Sequence, residues 1–225
     1  MRYDGLNQDG VYQIAIDGPS GAGKSTVAKA LAKMLSLEYI DTGAMYRAVA
    51  FKMLESGVGL DAGDLLAEML SEIDVDFSEG KIMLDGKDVS GFIRTENISK
   101  LASDCSAIPA VREKLVALQR LMGERKSVVM DGRDIGSNVF PKARFKFFLT
   151  ATAEERAERR FAELTARGEK ASLERILSDI NERDYNDSHR QLNPLIKTED
   201  AVEIDSTGMS VEEVLAEILA CIEHL

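Results

Sequence analysis

The sequence predicts an α/β fold in which a five-stranded parallel sheet is flanked by helices and interrupted by a small β insertion. Three observations predict it. Short apolar runs recur five times, helical patterns separate them, and a glycine loop joins the first run to the first helix.

The first run, Tyr12–Asp17, breaks at Gly18, after which Lys24–Leu35 places Val27, Leu31 and Met34/Leu35 at helical spacing. Leu37–Ile40, Val128–Met130, Phe145–Leu149 and Ala201–Ile204 are the other four runs, each ending near Asp, Gly, Ser or Thr. Thr152 with Glu155, and Ser210 with Glu213, match the capping box that satisfies free N–H groups at a helix start. Between the second and third runs, Ile82–Leu84 and the segment near Val89 flank Asp85-Gly86, a two-residue hairpin signal. One helix is expected from about Ser99 to Arg120, with Val111, Leu115 and Leu118 on one face. Gly168 within the charged stretch Arg167–Lys170 suits the turn of a mobile hairpin. There is no internal repeat and no Pro- or Ser-rich linker, so insertions into one core explain the length of 225 residues.

Composition narrows the function. Lys and Arg number 28 against 39 Asp and Glu, a net charge of −11, which excludes non-specific wrapping of nucleic acid and requires any anionic ligand to meet local positive charge. Cys105 and Cys221 are too few and too far apart for a disulfide framework or a CxxC zinc site, and read as buried free thiols. With only His189 and His224, histidine-based hydrolysis and metal chemistry are disfavoured, and His189 reads as a helix-face residue. The start MRYDGLNQDG lacks a basic segment followed by an apolar one, and no apolar run reaches membrane-spanning length. A cytoplasmic monomer without membrane or nucleic-acid partners is the expectation. Asp61–Asp64 and Glu212–Glu213 read as solvated faces, and Met45, Met53 and Met69 as core filling.

The chemistry opens with Gly18-Pro19-Ser20-Gly21-Ala22-Gly23-Lys24-Ser25, which fits G-x-x-x-x-G-K-[ST]. Glycines let backbone N–H groups approach phosphate oxygens, the following helix presents its positive end, Lys24 adds a charge, and the Ser25 hydroxyl suits Mg²⁺. This motif alone does not separate ATP from GTP, or transfer from hydrolysis or sensing.

Phosphoryl transfer also needs cations around the moving group, and arginine grips phosphate with a planar fork. Arg47 follows the second run in Asp41-Thr42-Gly43-Ala44-Met45-Tyr46-Arg47, and Arg133 follows the third in Asp131-Gly132-Arg133-Asp134. Arg156 and Arg159/Arg160 fall on one face of the capped helix, and Arg183, Asp187 and Arg190 align a carboxylate between two cations. Read from pattern alone, surface ion pairs account for these arginines as well as a ligand site does.

Together, IAIDGPSGAGKST, DTGAMYR, DVSGFIRT, DGRDIGSNVFP, RDYNDSHRQLNPL and DAVEIDST, spread from about Ile14 to Thr207, resemble the bacterial cytidylate kinases. The resemblance implies the P-loop nucleoside monophosphate kinase fold, with the β insertion in a monophosphate-binding region and a helical lid. It implies one kinase domain over 1–225, with the core at 11–44, 121–153 and 191–225, the monophosphate-binding region at 45–120, and the lid with its adjoining helix at 154–190. The implied reaction is direct in-line transfer of the ATP γ-phosphate to CMP or dCMP. Carried over by matching position, Gly18, Pro19, Ser20, Gly21, Ala22, Gly23, Lys24, Ser25 and Thr26 would hold ATP, with Mg²⁺ at Ser25. Lys24, Arg133, Arg156 and Arg159 would be catalytic. Thr42, Arg47, Ser103, Arg112, Arg133, Asp134, Arg183, Asp187 and Arg190 would bind CMP. Of these, Arg47, Arg133 and Arg190 would hold the phosphate, Ser103, Arg112 and Asp134 would lie near the base, and Arg183 and Asp187 would contact the sugar. Asp131, ending the third strand, is a candidate for the outer shell of the metal. Thr42 stands where some members carry Ser, and Ser137-Asn138 where Thr-Val is commoner. A related kinase with another acceptor, such as UMP or a small metabolite, and a nucleotide-dependent switch are the alternatives.

Overall fold

The computed structural model describes residues 10–224, so the start of the chain read above for a targeting segment lies outside the described residues. The element order is β1 (Gln13–Asp17), α1 (Lys24–Leu35), β2 (Glu38–Asp41), α2 (Thr42–Ser56), α3 (Gly63–Glu72), β3 (Val75–Ser78), β4 (Lys81–Leu84), β5 (Lys87–Asp88), α4 (Glu96–Cys105) and α5 (Pro109–Arg125). It continues with β6 (Val128–Gly132), a π-helical turn (Ile135–Val139), β7 (Phe145–Thr150), α6 (Ala153–Ala166), α7 (Leu173–His189), β8 (Val202–Asp205) and α8 (Val211–His224). Two compact units result: one of the described residues up to Glu38 and from Ser127 on, the other of Tyr39–Lys126.

The five-stranded sheet runs in the order β2-β6-β1-β7-β8. β1 pairs in parallel with β6, Ile16 opposite Asp131, and with β7, Ile16 opposite Phe147, while β7 pairs in parallel with β8. Ile14, Ala15 and Ile16 are completely buried, as a parallel strand covered on both faces requires. Leu31 of α1, Met130 of β6, and Phe145 and Leu149 of β7 complete this core. Burial of each such large side chain contributes about 1.5–3 kcal/mol. Met34, read as sharing the buried face of α1, is instead half exposed, and its neighbour Leu35 is buried. The strand order reverses beside β1, so its carboxyl end opens onto the crevice where parallel sheets bind ligands.

In the second unit the β insertion is a three-stranded antiparallel sheet, β3-β4-β5, rather than one hairpin. Asp85-Gly86 turns as expected, with φ of 49° and 75°, and Glu79-Gly80 makes a similar turn at 52° and 74°. The second turn escapes sequence reading because Glu is a poor signal for a positive φ. The single helix expected from about Ser99 to Arg120 is two. Thr95 caps α4, its hydroxyl accepting from the Ile98 N–H at 3.3 Å, and α4 ends at Cys105. Pro109 then opens α5 and holds Ile108 extended. Val111 and Leu115 are buried as expected, whereas Leu118 is half-buried and Gln119 takes the buried place beside it.

The two expected capping boxes also differ. Ser210 and Glu213 bond reciprocally, at 3.2 Å to the Glu213 N–H and 2.8 Å to the Ser210 N–H. Thr152 caps α6 through the Glu155 N–H, but its own N–H donates to Thr207 Oγ1 and the Glu155 carboxylate turns to Arg159. Both cysteines are free; Cys105 is buried, and Cys221, read as buried, is half-buried. Burial, with the charge of Asp104, pushes the Cys105 thiol up to about 12. Among the described residues no helix is long and apolar enough to cross a membrane.

Candidate active site

The first unit builds a phosphate-binding loop at the carboxyl end of β1. Gly18 opens it at φ 145°, and a Cβ there would lie 1.9 Å from the Leu149 carbonyl oxygen, so the end of β7 admits only glycine. Gly23 at φ 88° leads into α1, whose first turn holds Lys24, Ser25 and Thr26. Lys24 is buried and donates to the Pro19 carbonyl at 2.6 Å, tying the loop across its own width. Burial, then the charge of Arg133, pulls the Lys24 ammonium down to about 7, against the pull of Asp131, Asp187 and Asp17. Ser25 Oγ donates to Asp131 Oδ2 at 2.8 Å, which places a hydroxyl and a carboxylate together beside the loop.

Asp17, the last residue of β1, is buried and accepts from the backbone N–H groups of Ile135 at 2.8 Å and Gly136 at 2.7 Å. Burial pushes its carboxyl up to about 6, although the two N–H groups favour the charged form. Those bonds fasten the turn after β6, which carries Arg133 and Asp134, to the strand that carries the loop.

Several arginines of this unit reach partners distant in sequence as well as local ones. Arg133 donates through Nε to Asp187 Oδ2 at 2.7 Å. Burial acts against the charge of Asp187, but attraction to Arg133 outweighs it and holds the carboxyl below its ordinary value. Arg190 donates to Asp134 Oδ1 at 3.1 Å and to the Asn193 carbonyl at 2.7 Å, while Asn138 donates to Asp134 Oδ2. Arg183 adds its charge to the field around Asp187. The expected alignment of Arg183, Asp187 and Arg190 along one helix therefore resolves differently: Arg190 lies just past α7 with extended backbone and reaches another element. Arg156 is buried, donating to the carbonyls of Ala151 at 2.9 Å and Ser20 at 3.0 Å. Arg159 donates to the Ser206 carbonyl at 2.6 Å, and the Ser206 hydroxyl bonds onward to the Ala22 carbonyl. Arg160, grouped with these two by spacing, points away and pairs with Glu163.

The second unit holds the remaining candidates. Asp41 caps α2 through the Ala44 N–H at 2.8 Å and pairs with Arg47 at 3.3 Å. A Cβ on Gly43 would lie 3.2 Å from Asp41 Oδ1 and 3.4 Å from Arg47 Nη1, so glycine leaves room for that pair. Thr42 is buried at the helix start. Arg112 is buried, donates to the Ser106 carbonyl at 3.3 Å and lies 5.8 Å from the Tyr46 ring centroid. Ser103, half-buried on α4, accepts through its carbonyl from the Ser106 hydroxyl. His189, at the end of α7, stacks on Tyr185 at 4.0 Å.

Sequence reading missed Asp17, Asp184 and Ser206 as members of the site. For Asp17 a signal existed, a lone carboxylate directly after the apolar run Ile14–Ile16; Asp184 and Ser206 are recruited only by the folded arrangement of α6.

A phosphate loop at the switch point of a parallel sheet, with arginines anchored about it, defines a P-loop protein of the nucleoside monophosphate kinase fold. A crystal structure of an uncharacterized protein from Eubacterium ventriosum shares the fold at a TM-score of 0.54 and 15% identity, over 96% of this chain and 100% of that one. The family model described as Cytidylate kinase matches residues 14–224. The chain belongs to the cytidylate kinase family. It is 48% identical to a cytidylate kinase of Clostridioides difficile, over 92% of this chain and 96% of the relative. It is 50% identical to one of Caldanaerobacter subterraneus, over 93% and 94% respectively.

Proposed function

We propose that this protein transfers the γ-phosphate of ATP to CMP or dCMP, giving ADP and CDP or dCDP. The names of its relatives support this acceptor over UMP or a small metabolite, and a second cationic site beside the loop argues against a nucleotide switch. The observation that carries the reading is geometric: the phosphate loop holds Lys24 buried on the Pro19 carbonyl, Ser25 Oγ reaches Asp131 at the end of β6, and Arg133, two residues on, is held by Asp187. A lysine in the loop and an arginine at the end of the neighbouring strand give two phosphates, one on each nucleotide, a cation apiece.

The loop from Gly18 to Thr26 binds the ATP phosphates, and phosphate charge restores the Lys24 ammonium. Ser25 Oγ with Asp131 Oδ2 beside it is a hard oxygen pair that fits Mg²⁺, which binds through one or two protein oxygens plus substrate phosphates. Bound there with ATP, Mg²⁺ neutralises charge developing on the phosphates. Arg47, Arg133 and Arg190 bind the acceptor phosphate, Ser103, Arg112 and Asp134 read the cytosine ring, and Arg183 and Asp187 bind the sugar, with Thr42 at the same subsite. A phosphate oxygen of CMP is already ionised near neutral pH, so no strong general base is required; the residues orient, neutralise and exclude water. Arg156 and Arg159 are the lid's contribution on the ATP side, and residues 154–190 are the lid with its adjoining helix, within one kinase domain that acts as a cytoplasmic monomer.

The test is ADP release from Mg·ATP with CMP, dCMP, UMP, AMP, GMP or no acceptor. Fast release with CMP or dCMP alone is expected. Equal slow release in every reaction would overturn the reading.

A further inference from the structure

Arg156 is engaged on all sides by the protein itself. Its Nε donates to the Ala151 carbonyl, its Nη1 to the Ser20 carbonyl in the phosphate loop, and its Nη2 meets Asp184 Oδ2 of α7 at 2.6 Å. Its side chain is only 5% exposed. The loop rests on its stem as well, since a Cβ on Gly21 would lie 3.2 Å from Arg156 Cβ.

The Ser20 carbonyl matters because of what its peptide carries on the other side. In a trans peptide the N–H points opposite the C=O, so holding the Ser20 oxygen against Arg156 turns the Gly21 N–H away from Arg156, to the other side of the loop backbone. A guanidinium is a rigid plane, so fixing Nη2 fixes the direction in which Nη1 donates. Among the described residues Asp184 provides the one ion pair to that plane, and a buried arginine with carbonyls alone lacks a counter-charge. The other Asp184 oxygen, Oδ1, is buried and accepts no hydrogen bond, so the carboxylate is committed to Arg156 by one oxygen. Three residues on, along the same helix face, Asp187 does the corresponding work for Arg133.

We propose that Asp184 is a positioning residue for the donor nucleotide: its ion pair with Arg156 sets the Ser20 peptide, and through it the N–H array that receives the ATP phosphates. The proposal rests on the kinase reading for the identity of the donor, and it divides the contacts of α7: Asp184 bonds Arg156 under the donor loop and reaches Arg133 only through its field, while Asp187 bonds Arg133 directly.

The test compares Asp184→Asn and Asp184→Glu with the unaltered protein, measuring Mg·ATP binding and CMP binding separately by calorimetry, and KM for each nucleotide. Asp184→Asn is expected to weaken ATP binding and raise its KM about tenfold or more, as loss of a charge-assisted hydrogen bond predicts, while CMP affinity changes less than about twofold. Asp184→Glu, which keeps the charge, should recover most of the loss. Arg156→Lys, which keeps a cation but loses the fork, should reproduce the ATP-selective defect, and covers the case in which Asp184→Asn fails to fold. An equal loss for both nucleotides, unchanged ATP binding, or a lower melting temperature with unchanged ATP binding overturns the proposal. If the unaltered protein binds ATP but phosphorylates no nucleotide, the kinase reading fails while the effect of Asp184 on ATP binding is still measured.

Discussion

Four arginines of the candidate site, two in each unit, are held in different ways. In the first unit Arg133 and Arg190 reach carboxylates 54 and 56 residues away in the chain, Asp187 and Asp134. In the second, Arg47 is held by Asp41 and Arg112 by the Ser106 carbonyl, each six residues away. Distant partners exist only when the whole unit is folded, whereas local ones are available as soon as a helix end forms. If these arginines bind the acceptor as proposed, the first set couples ligand recognition to global stability and the second uncouples them.

The largest effect is expected at Asp187. Asp187→Ala leaves a half-buried guanidinium without its hydrogen-bonded carboxylate, which should cost about 1.5–3 kcal/mol of stability. Because Arg133 then loses its orientation, CMP-dependent ADP release should also fall about 10²–10³-fold, as when a charge-stabilising donor is removed. Thermal unfolding and steady-state kinetics check both parts, and a variant as stable as the parent would break the contrast between the units.

Next in size is a pH effect at Asp17, whose folded pKa of about 6 lies above the ordinary 3.8. The folded state binds the extra proton between those values, so this group's contribution to stability is fully present below about pH 4 and is lost as pH rises through about 6. The span corresponds to at most about 3 kcal/mol. Asp17→Asn should remove that slope, so the stability of the unaltered protein relative to the variant should decline from pH 4 to pH 7 in denaturant titrations. A constant difference would show that Asp17 titrates normally.

Smaller again, Asp134→Ala should raise KM for CMP about tenfold, the equivalent of one charge-assisted hydrogen bond, with Arg190 still anchored on the Asn193 carbonyl. Smallest is Asp41→Asn, which keeps a capping oxygen and a hydrogen-bond acceptor for Arg47 and removes only the charge of a half-buried pair met at 3.3 Å, a loss of about 1 kcal/mol. Its melting temperature should shift by a few degrees at most. A loss there as large as at Asp187 would mean that local anchoring is no cheaper to disturb than distant anchoring.

What could be read from the sequence follows the same division. The phosphate loop, the Asp85-Gly86 turn and the Thr152 and Ser210 caps depend on neighbours within a few residues, and the structure forms each of them. The partners of Arg133, Arg156 and Arg190 were hidden because helical spacing names residues that share a face, not the element that arrives opposite it. Arg190 shows this most plainly: at i+7 from Arg183 it belongs to the stripe on paper, yet the helix stops one residue earlier and the side chain joins Asp134. The break between α4 and α5 was legible in Pro109, but apolar periodicity on both sides obscured it.

The contrast between the two cysteines has a practical consequence. A thiol with a pKa of about 12 is ionised to only about one part in 10⁵ at pH 7, and only the thiolate attacks electrophiles at a useful rate. Cys105, fully enclosed on α4, is thus chemically silent in the folded protein, while Cys221 on α8 is partly open to reagent. A maleimide dye added to the native protein should therefore attach once, at Cys221, giving a ready-made optical reporter without any engineered residue; a second equivalent should react only on unfolding.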